Sequence, residues 1–383
     1  MSADIPFNKP FIIGKELYNV SRAVLQGQSS GDGPYTRQCQ ATIADMLGAK
    51  HVLLTTSATS ALHIAALVSE IEPDDEVIMP SYCSAAAANA FRSVGARLVF
   101  VEVDPATLTI DLDHVEASQS DRTRVVLPRH YFGTCCDMDR LLSMVKDRPL
   151  QIVEDCYDAF GARYRGQALG TLGDFGALSF HESNDVTCGE GGALILKSEE
   201  AFERAEIIRE KGTNRAQFFR GQVDKYTWVD VGSSYVPSDL LAAYLAAQLE
   251  HAKEIFSQKQ RIHERYTSGF RRLTDAGLVH QQAVLPDSQT NHHGFLLILD
   301  SESTRQALID HLAKHDVAAV FHFTPLHESP MGQRLGYRKG QLPVTEDISR
   351  RVLRLPSYHE MTTDEIDRVV AAVYEFFSLS LPG

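Results

Sequence analysis

Residues 151–196 read QIVEDCYDAF GARYRGQALG TLGDFGALSF HESNDVTCGE GGALIL. Three short apolar runs stand in this stretch: Gln151–Glu154, Phe175–Ser179 and Gly192–Leu196. Their length and near-continuous apolar character predict strands buried on both faces. Polar chemistry borders each run. Glu154-Asp155 closes the first, Ser179-Phe180-His181-Glu182 closes the second, and Gly189-Glu190-Gly191-Gly192 opens the third. Similar runs recur upstream at His51–Thr55, Glu76–Met79, Arg97–Val101 and Arg124–Leu127. Amphipathic or small-residue segments, Ser60–Ser69, Ala85–Val94 and Met138–Lys146, lie between them. This alternation predicts an α/β fold, a mostly parallel seven-stranded sheet covered by helices on both faces. Ligands of such sheets bind at the carboxyl ends of the strands. The residues after each strand are therefore the candidate site.

Downstream, Ala201–Lys211 reads as a helix, and 212–236 is too polar and aromatic for a plain connector, which suggests a binding loop. Ser238–Leu273 reads as one long helix or two. The remainder predicts a small C-terminal α+β domain: a strand near His293–Leu299, a helix Ser303–His315, a strand near Ala318–Phe323 and a helix Thr363–Ser378. The expected domains are 1–250, with an N-terminal arm of about thirty residues lying against the small domain, and 251–383.

Composition narrows the function classes. The 383 residues carry 37 Lys plus Arg against 50 Asp plus Glu, a net charge of −13, which argues against a surface made to coat nucleic acid or anionic membrane. No apolar run approaches the roughly 20 residues of a membrane span. The opening Met1–Phe7 lacks a basic region followed by an apolar stretch, so no secretory signal is expected. Six cysteines are too few for a disulfide scaffold and read as reduced thiols of a cytoplasmic protein.

Thr55-Thr56-Ser57-Ala58-Thr59-Ser60 follows the first strand. Small hydroxyl residues opening a helix leave free N–H groups in a positive dipole field, either a phosphate cradle or a plain N-cap. Asp155 can pair with a cationic heterocycle nitrogen or cap a helix. His181, alone, is more simply a structural histidine.

Taken together, these motifs resemble the sugar aminotransferases of the DegT/DnrJ/EryC1/StrS family, of fold type I. The resemblance spans nearly the whole chain and is nearest to the dTDP-4-amino-4,6-dideoxygalactose transaminases. Its carriers are Gly31-Asp32-Gly33 with Thr36, Pro80-Ser81-Tyr82, Val153-Glu154-Asp155, Ser179-Phe180-His181-Glu182 and Gly189-Glu190-Gly191-Gly192. The run from Ile207 through Trp228, Val320-Phe321-His322 and Pro325-Leu326-His327 complete the set. The resemblance implies a homodimer and pyridoxal phosphate, bound through a lysine and cycled through pyridoxamine phosphate. It places Ala58, Thr59 and Ser179 at the phosphate, Asp155 at the pyridine nitrogen, and Asn214 at the partner's phosphate. It implies substrate contacts from Lys211, Arg215, Arg220, Lys225, Tyr226, His322 and His327, with Arg215, Arg220 and Lys225 as an anion-binding cluster.

Three positions depart from the pattern. The family lysine lies five residues after Ser179, where this chain has Asn184, and no lysine occurs between Lys146 and Lys197. An amide forms no Schiff base and is no general base near neutrality. Ser84 replaces an aromatic residue expected to stack on the ring. Asp158 replaces a glutamine expected near the cofactor's phenolic oxygen, where two anions would repel. The expected ligand is thus pyridoxal or pyridoxamine phosphate held non-covalently, or no cofactor at all. The expected function is an enzyme on a nucleotide-linked keto-sugar without standard transamination, with His181 and Asp158 as remaining acid–base candidates. Two alternatives stand beside it: a cofactor-independent enzyme using His, Asp or Cys, and a non-catalytic binding homologue. Cys83, Cys135, Cys136, Cys156 and Cys188 gather near strand ends. Without C-x-x-C spacing they read as small buried residues, and no metal is expected.

Overall fold

Seven apolar runs become strands because neighbouring residues serve two different cores. The computed structural model describes residues 4–380. The strands are β1 (His51–Thr55), β2 (Glu76–Pro80), β3 (Arg97–Val101), β4 (Thr123–Val126), β5 (Gln151–Cys156), β6 (Phe175–Ser179) and β7 (Gly192–Leu196). Leu54, Ile78, Val126, Ile152, Leu178 and Ile195 face one core, with the helices Pro34–Leu47, Met138–Val145 and Asp239–Glu250. Leu53, Val77, Val125, Val153, Ala177 and Leu194 face the other, with the helices Ala58–Val68, Ala85–Arg92 and Glu199–Arg209. The two-residue period of a strand feeds both faces from one apolar run.

Strand order is β1-β7-β6-β5-β4-β2-β3. The pairs from β6 through β5, β4 and β2 to β3 are parallel, and β7 runs antiparallel between β6 and β1. The expected mostly parallel sheet is present. Sheet and N-terminal segment are joined at Asp239, whose carboxylate accepts from the Tyr35 and Thr36 N–H groups at 3.2 and 2.8 Å. A Cβ on Gly33 would come within 2.3 Å of that carboxylate, so only glycine fits there.

Beyond the sheet, Asp239–Glu250 and Ala252–Asp275 are two helices, separated at His251. A further core forms from Tyr266, Phe270, Phe295, Leu297, Leu308, Leu353, Ile366 and Val373. It surrounds a two-stranded antiparallel sheet of β8 (Phe295–Ile298) and β9 (Val352–Leu355). The strand expected near Ala318–Phe323 does not form, and only Val320 makes an isolated bridge, to Arg354. None of residues 318–323 is buried, whereas Val352, Leu353 and Leu355 are, and Val320 lies along the edge of β9 away from β8, since Arg354 pairs with both Val320 and Leu296.

The N-terminal arm divides. Ile5 bridges Val317 as expected, but the helix Glu16–Leu25 packs on Asp239–Glu250 of the large-sheet region, with Asn19 Nδ2 donating to Ala243 O at 3.2 Å. No helix among the described residues is long and apolar enough to cross a membrane.

Candidate functional site

The site is built where β5 ends beside the extension of β4. The Asp155 N–H donates to Pro128 O at 2.9 Å, and the His130 N–H donates to Asp155 O at 3.0 Å. This ladder sets residues 129 and 130 alongside 154 and 155. Side chains alternate across it. His130 and Glu154 share one side, with His130 Nε2 2.7 Å from Glu154 Oε2. Glu154 also accepts N–H bonds from Gly170, Leu172 and Gly173 at 2.8, 2.8 and 2.7 Å. With its oxygens so engaged, the buried His130, Glu154, Cys156 group is a structural clamp, not a ready metal site.

Arg129 and Asp155 share the other side. Arg129 Nη1 lies 3.1 Å from Asp155 Oδ2, and Nη2 lies 3.0 Å from Asp158 Oδ2. The remaining Asp155 oxygen accepts the Tyr157 N–H at 3.1 Å, and Asp158 Oδ1 accepts the Phe132 N–H at 3.3 Å. Arg129 is 2 % exposed, with Phe323, Tyr157 and Tyr131 ring centroids 5.2, 5.5 and 5.8 Å from its Cζ. Burial works against the guanidinium charge, but Asp158 and Asp155 outweigh it and hold Arg129 charged. Burial pushes the Asp155 carboxyl up, by more than Arg129 draws it down.

Across the sheet end, Ala58–Val68 begins with Ser57 as its cap, Ser57 Oγ accepting the Ser60 N–H at 3.1 Å. Thr56 and Ser60 hydroxyls lie 2.7 Å apart. A Cβ on Gly192 would meet the Ser57 carbonyl carbon at 2.3 Å, so glycine lets this helix start sit against β7. Ala58 is buried and Thr59 exposed. Ser179 accepts the His181 N–H at 3.3 Å. Asn184 is 8 % exposed, and neither its Oδ1 nor its Nδ2 has a partner. Asn184 lines a small cavity with Ser179 and Asp158, as expected, and with Tyr157, Asn291 and His293, which sequence reasoning missed. Ser84 stands at the start of Ala85–Arg92 without a side-chain cap bond, directly after Cys83, whose thiol lies in the field of Asp155 and Arg129.

The model of the DegT/DnrJ/EryC1/StrS aminotransferase family matches residues 12–374. This chain belongs to that family. Among relatives, the spore coat polysaccharide biosynthesis protein SpsC of Bacillus subtilis is 30% identical, over 96% of each chain. The GDP-perosamine synthase of Escherichia coli O157:H7 is 29% identical, over 98% of this chain and 99% of that one. Spr1654 of Streptococcus pneumoniae, named a sugar aminotransferase, has been solved in apo, pyridoxal phosphate and pyridoxamine phosphate forms. Its pyridoxamine phosphate form has a TM-score of 0.91 at 25% identity, covering 98% of this chain and 99% of that one.

Family membership implies pyridoxal phosphate, and the residues around Asp155 do not fit it. The carboxylate assigned to the ring nitrogen already holds an internal cation. Its neighbour Asp158 is a second carboxylate on the same guanidinium, and Asn184 stands where the resemblance expects the lysine.

The other predicted residues are placed as follows. His181 Nδ1 accepts the Ser183 N–H at 3.1 Å, which puts the neutral ring's proton on Nε2, 3.6 Å from Glu190. Ser183 Oγ lies 2.8 Å from His181 Nδ1 and 3.2 Å from the Tyr157 hydroxyl. Asn214 closes its own loop, accepting the Thr227 N–H at 2.7 Å and donating to Lys225 O at 3.3 Å. Within the described chain its amide therefore has partners already. Arg215 pairs with Glu210 at 3.0 Å, and Arg220 pairs with Glu206 through two bonds of 2.9 and 2.8 Å. Arg215 and Arg220 of the expected cluster are thus paired with acids of the preceding helix Glu199–Arg209 and its end, leaving Lys211, Lys225 and Tyr226 exposed.

His322 Nδ1 meets the Arg354 guanidinium, and burial together with Arg354 pushes its pKa down to about 4. His327 is corrected as a substrate contact. It is fully buried, with Nδ1 2.7 Å from Ser81 Oγ and Nε2 3.1 Å from Glu346, so neither nitrogen is free. All six cysteines are buried, and burial pushes their thiols up, to about 12 at Cys83 and Cys188 and about 11 at Cys135. None has the surroundings of an activated thiolate.

Sequence reasoning also missed Lys259. Its Nζ reaches Asp185 at 3.1 Å and Ser357 O and Oγ at 2.8 and 2.7 Å, and His293 sits 3.1 Å from the other Asp185 oxygen. Lys259 stands in the buried stripe Ile255, Ile262, Tyr266 of its helix, the pattern that could have revealed it.

Proposed function

We propose that this chain binds a nucleotide-linked keto-sugar, or a closely related intermediate, in its family's cleft without performing glutamate-dependent amino transfer. The observation that carries this reading is Asn184, its amide unpartnered beside Ser179 and Asp158 where the resemblance expects lysine. An amide supplies neither the covalent anchor nor the proton shuttle of amino transfer. The protein works in the cytoplasm as a homodimer. Supporting the dimer, Leu25, Trp228 and Phe219 are 86%, 76% and 69% exposed, apolar surface suited to a second copy.

A second reading, cofactor-independent proton transfer, is favoured by the His181–Ser183–Tyr157 hydrogen-bond chain at the cavity's edge. It requires that Tyr157→Phe abolish turnover while binding survives.

The test is calorimetric titration of dTDP- and GDP-linked keto-sugars, followed by product analysis with glutamate and pyridoxal phosphate present. Saturable sugar-nucleotide binding without an amino sugar supports the reading. Amino-sugar formation, or no binding of any nucleotide sugar, overturns it.

A further inference from the structure

We propose that Arg129 is a built-in replacement for the pyridinium cation, and that it closes the ancestral ring position to pyridoxal phosphate. The inference rests on the functional reading above and names what excludes the cofactor. Three features of a bound pyridinium are reproduced by the guanidinium. It is a flat delocalised cation. It is paired with Asp155, the carboxylate that the family resemblance assigns to the ring nitrogen, at 3.1 Å. It is enclosed by the rings of Phe323, Tyr157 and Tyr131, 5.2 to 5.8 Å from its Cζ.

Asp158 completes the arrangement. As a partner for a cofactor phenolate this residue is repulsive. As the second arm of the guanidinium fork, 3.0 Å from Nη2, it is complementary. The same residue that spoils the ring site therefore holds the substitute. The backbone ladder from Pro128 to His130 fixes residue 129 directly beside 155, so the side chain has no long path to cross. Entry of a pyridoxal ring would require Arg129 to leave both carboxylates, with its charge carried out of a fully buried position. Two of the positions that depart from the family pattern, Asp158 and Asn184, act with Arg129 as one change. Arg129 supplies the cation, Asp158 holds it, and Asn184 removes an anchor that no longer has a ring to hold.

The experiment compares three forms of the full-length protein: wild type, Asp158→Gln/Asn184→Lys, and Arg129→Leu/Asp158→Gln/Asn184→Lys. Each is titrated with pyridoxal phosphate and followed by the aldimine absorbance band and, after borohydride reduction, by intact mass. We expect no saturable binding in the first two and a stoichiometric adduct in the third. An adduct in the double variant equal to that in the triple, or saturable cofactor binding by wild type, would overturn the proposal. Should the triple variant fail to fold, Arg129→Ala is heated with and without guanidinium ion at low concentration. A gain in melting temperature that wild type does not share supports an internal cation site, and an equal response in both refutes it. Wild-type cofactor binding without amino transfer would sink this inference and leave the sugar-binding reading standing. Loss of sugar binding alone would do the reverse.

Discussion

Replacing Arg129 by methionine keeps a long side chain but leaves Asp155 and Asp158 as two buried carboxylates with no cation between them. Removing one partner of a buried ion pair costs about 3–5 kcal/mol, because the uncompensated charge stays behind. Two charge-assisted bonds are lost together here, at 3.1 and 3.0 Å, so the upper half of that range is expected. At roughly 2–4 °C per kcal/mol, the melting temperature should fall on the order of 10 °C. The loss must also depend on pH. Burial already places the Asp155 carboxyl above its ordinary value, and without Arg129 it rises further. A carboxyl whose folded pKa exceeds its unfolded one contributes stability that is present below the unfolded value and is lost as pH rises through the folded value. The gap between wild type and Arg129→Met should therefore widen from pH 5 to pH 8. Urea titrations at the two pH values measure it, and Asp155→Asn with Asp158→Asn in the same background should recover most of the loss. A cost below about 1 kcal/mol, the same at both pH values, would refute a buried cation held by the two carboxyl groups.

The six cysteines should resist an aromatic disulfide reagent in the native protein and all react in denaturant, since every thiol is buried; rapid native labelling of Cys83 or Cys188 would contradict their placement. Gly192→Ala should destabilise the protein by a few kcal/mol, because its Cβ would lie 2.3 Å from the Ser57 carbonyl carbon and push the helix start off β7; an unchanged urea midpoint would count against that contact. The proposed homodimer would cover Trp228, the only tryptophan and 76% exposed in the single chain, so its emission should be blue-shifted at micromolar concentration and move red on dilution. A monomer mass by light scattering with fully solvated emission would remove the dimer.

The large sheet was legible because each strand is a continuous apolar run serving two cores, as the pairs Leu53/Leu54 and Val125/Val126 illustrate. The helix starts at Ser57, Ser198 and Ser238 lie at hydroxyl caps that local chemistry foretells, whereas the break at His251 has no side-chain cap to announce it. The strand expected near Ala318–Phe323 failed because a short apolar pattern does not guarantee burial: none of residues 318–323 is buried, and only Val320 reaches β9, at Arg354. At the site, Asn184 was visible as a missing lysine. Arg129 was not, because its meaning lies in partners 26 and 29 positions away that only the β4–β5 ladder brings together. The pairing of the loop arginines was hidden for a similar reason. Their charge was plain, but Glu206 and Glu210, which neutralise them, belong to the preceding helix and its end.

The central claim is that a sugar-aminotransferase fold here has lost its covalent cofactor chemistry. The most direct measurement is to incubate wild-type protein with excess pyridoxal phosphate, reduce with borohydride, and map lysine adducts by peptide mass. The account predicts no stoichiometric adduct at any lysine, Lys259 included, since its ammonium is held by Asp185 and Ser357. One adduct per chain at a single buried lysine, lost when that lysine is replaced, would contradict it.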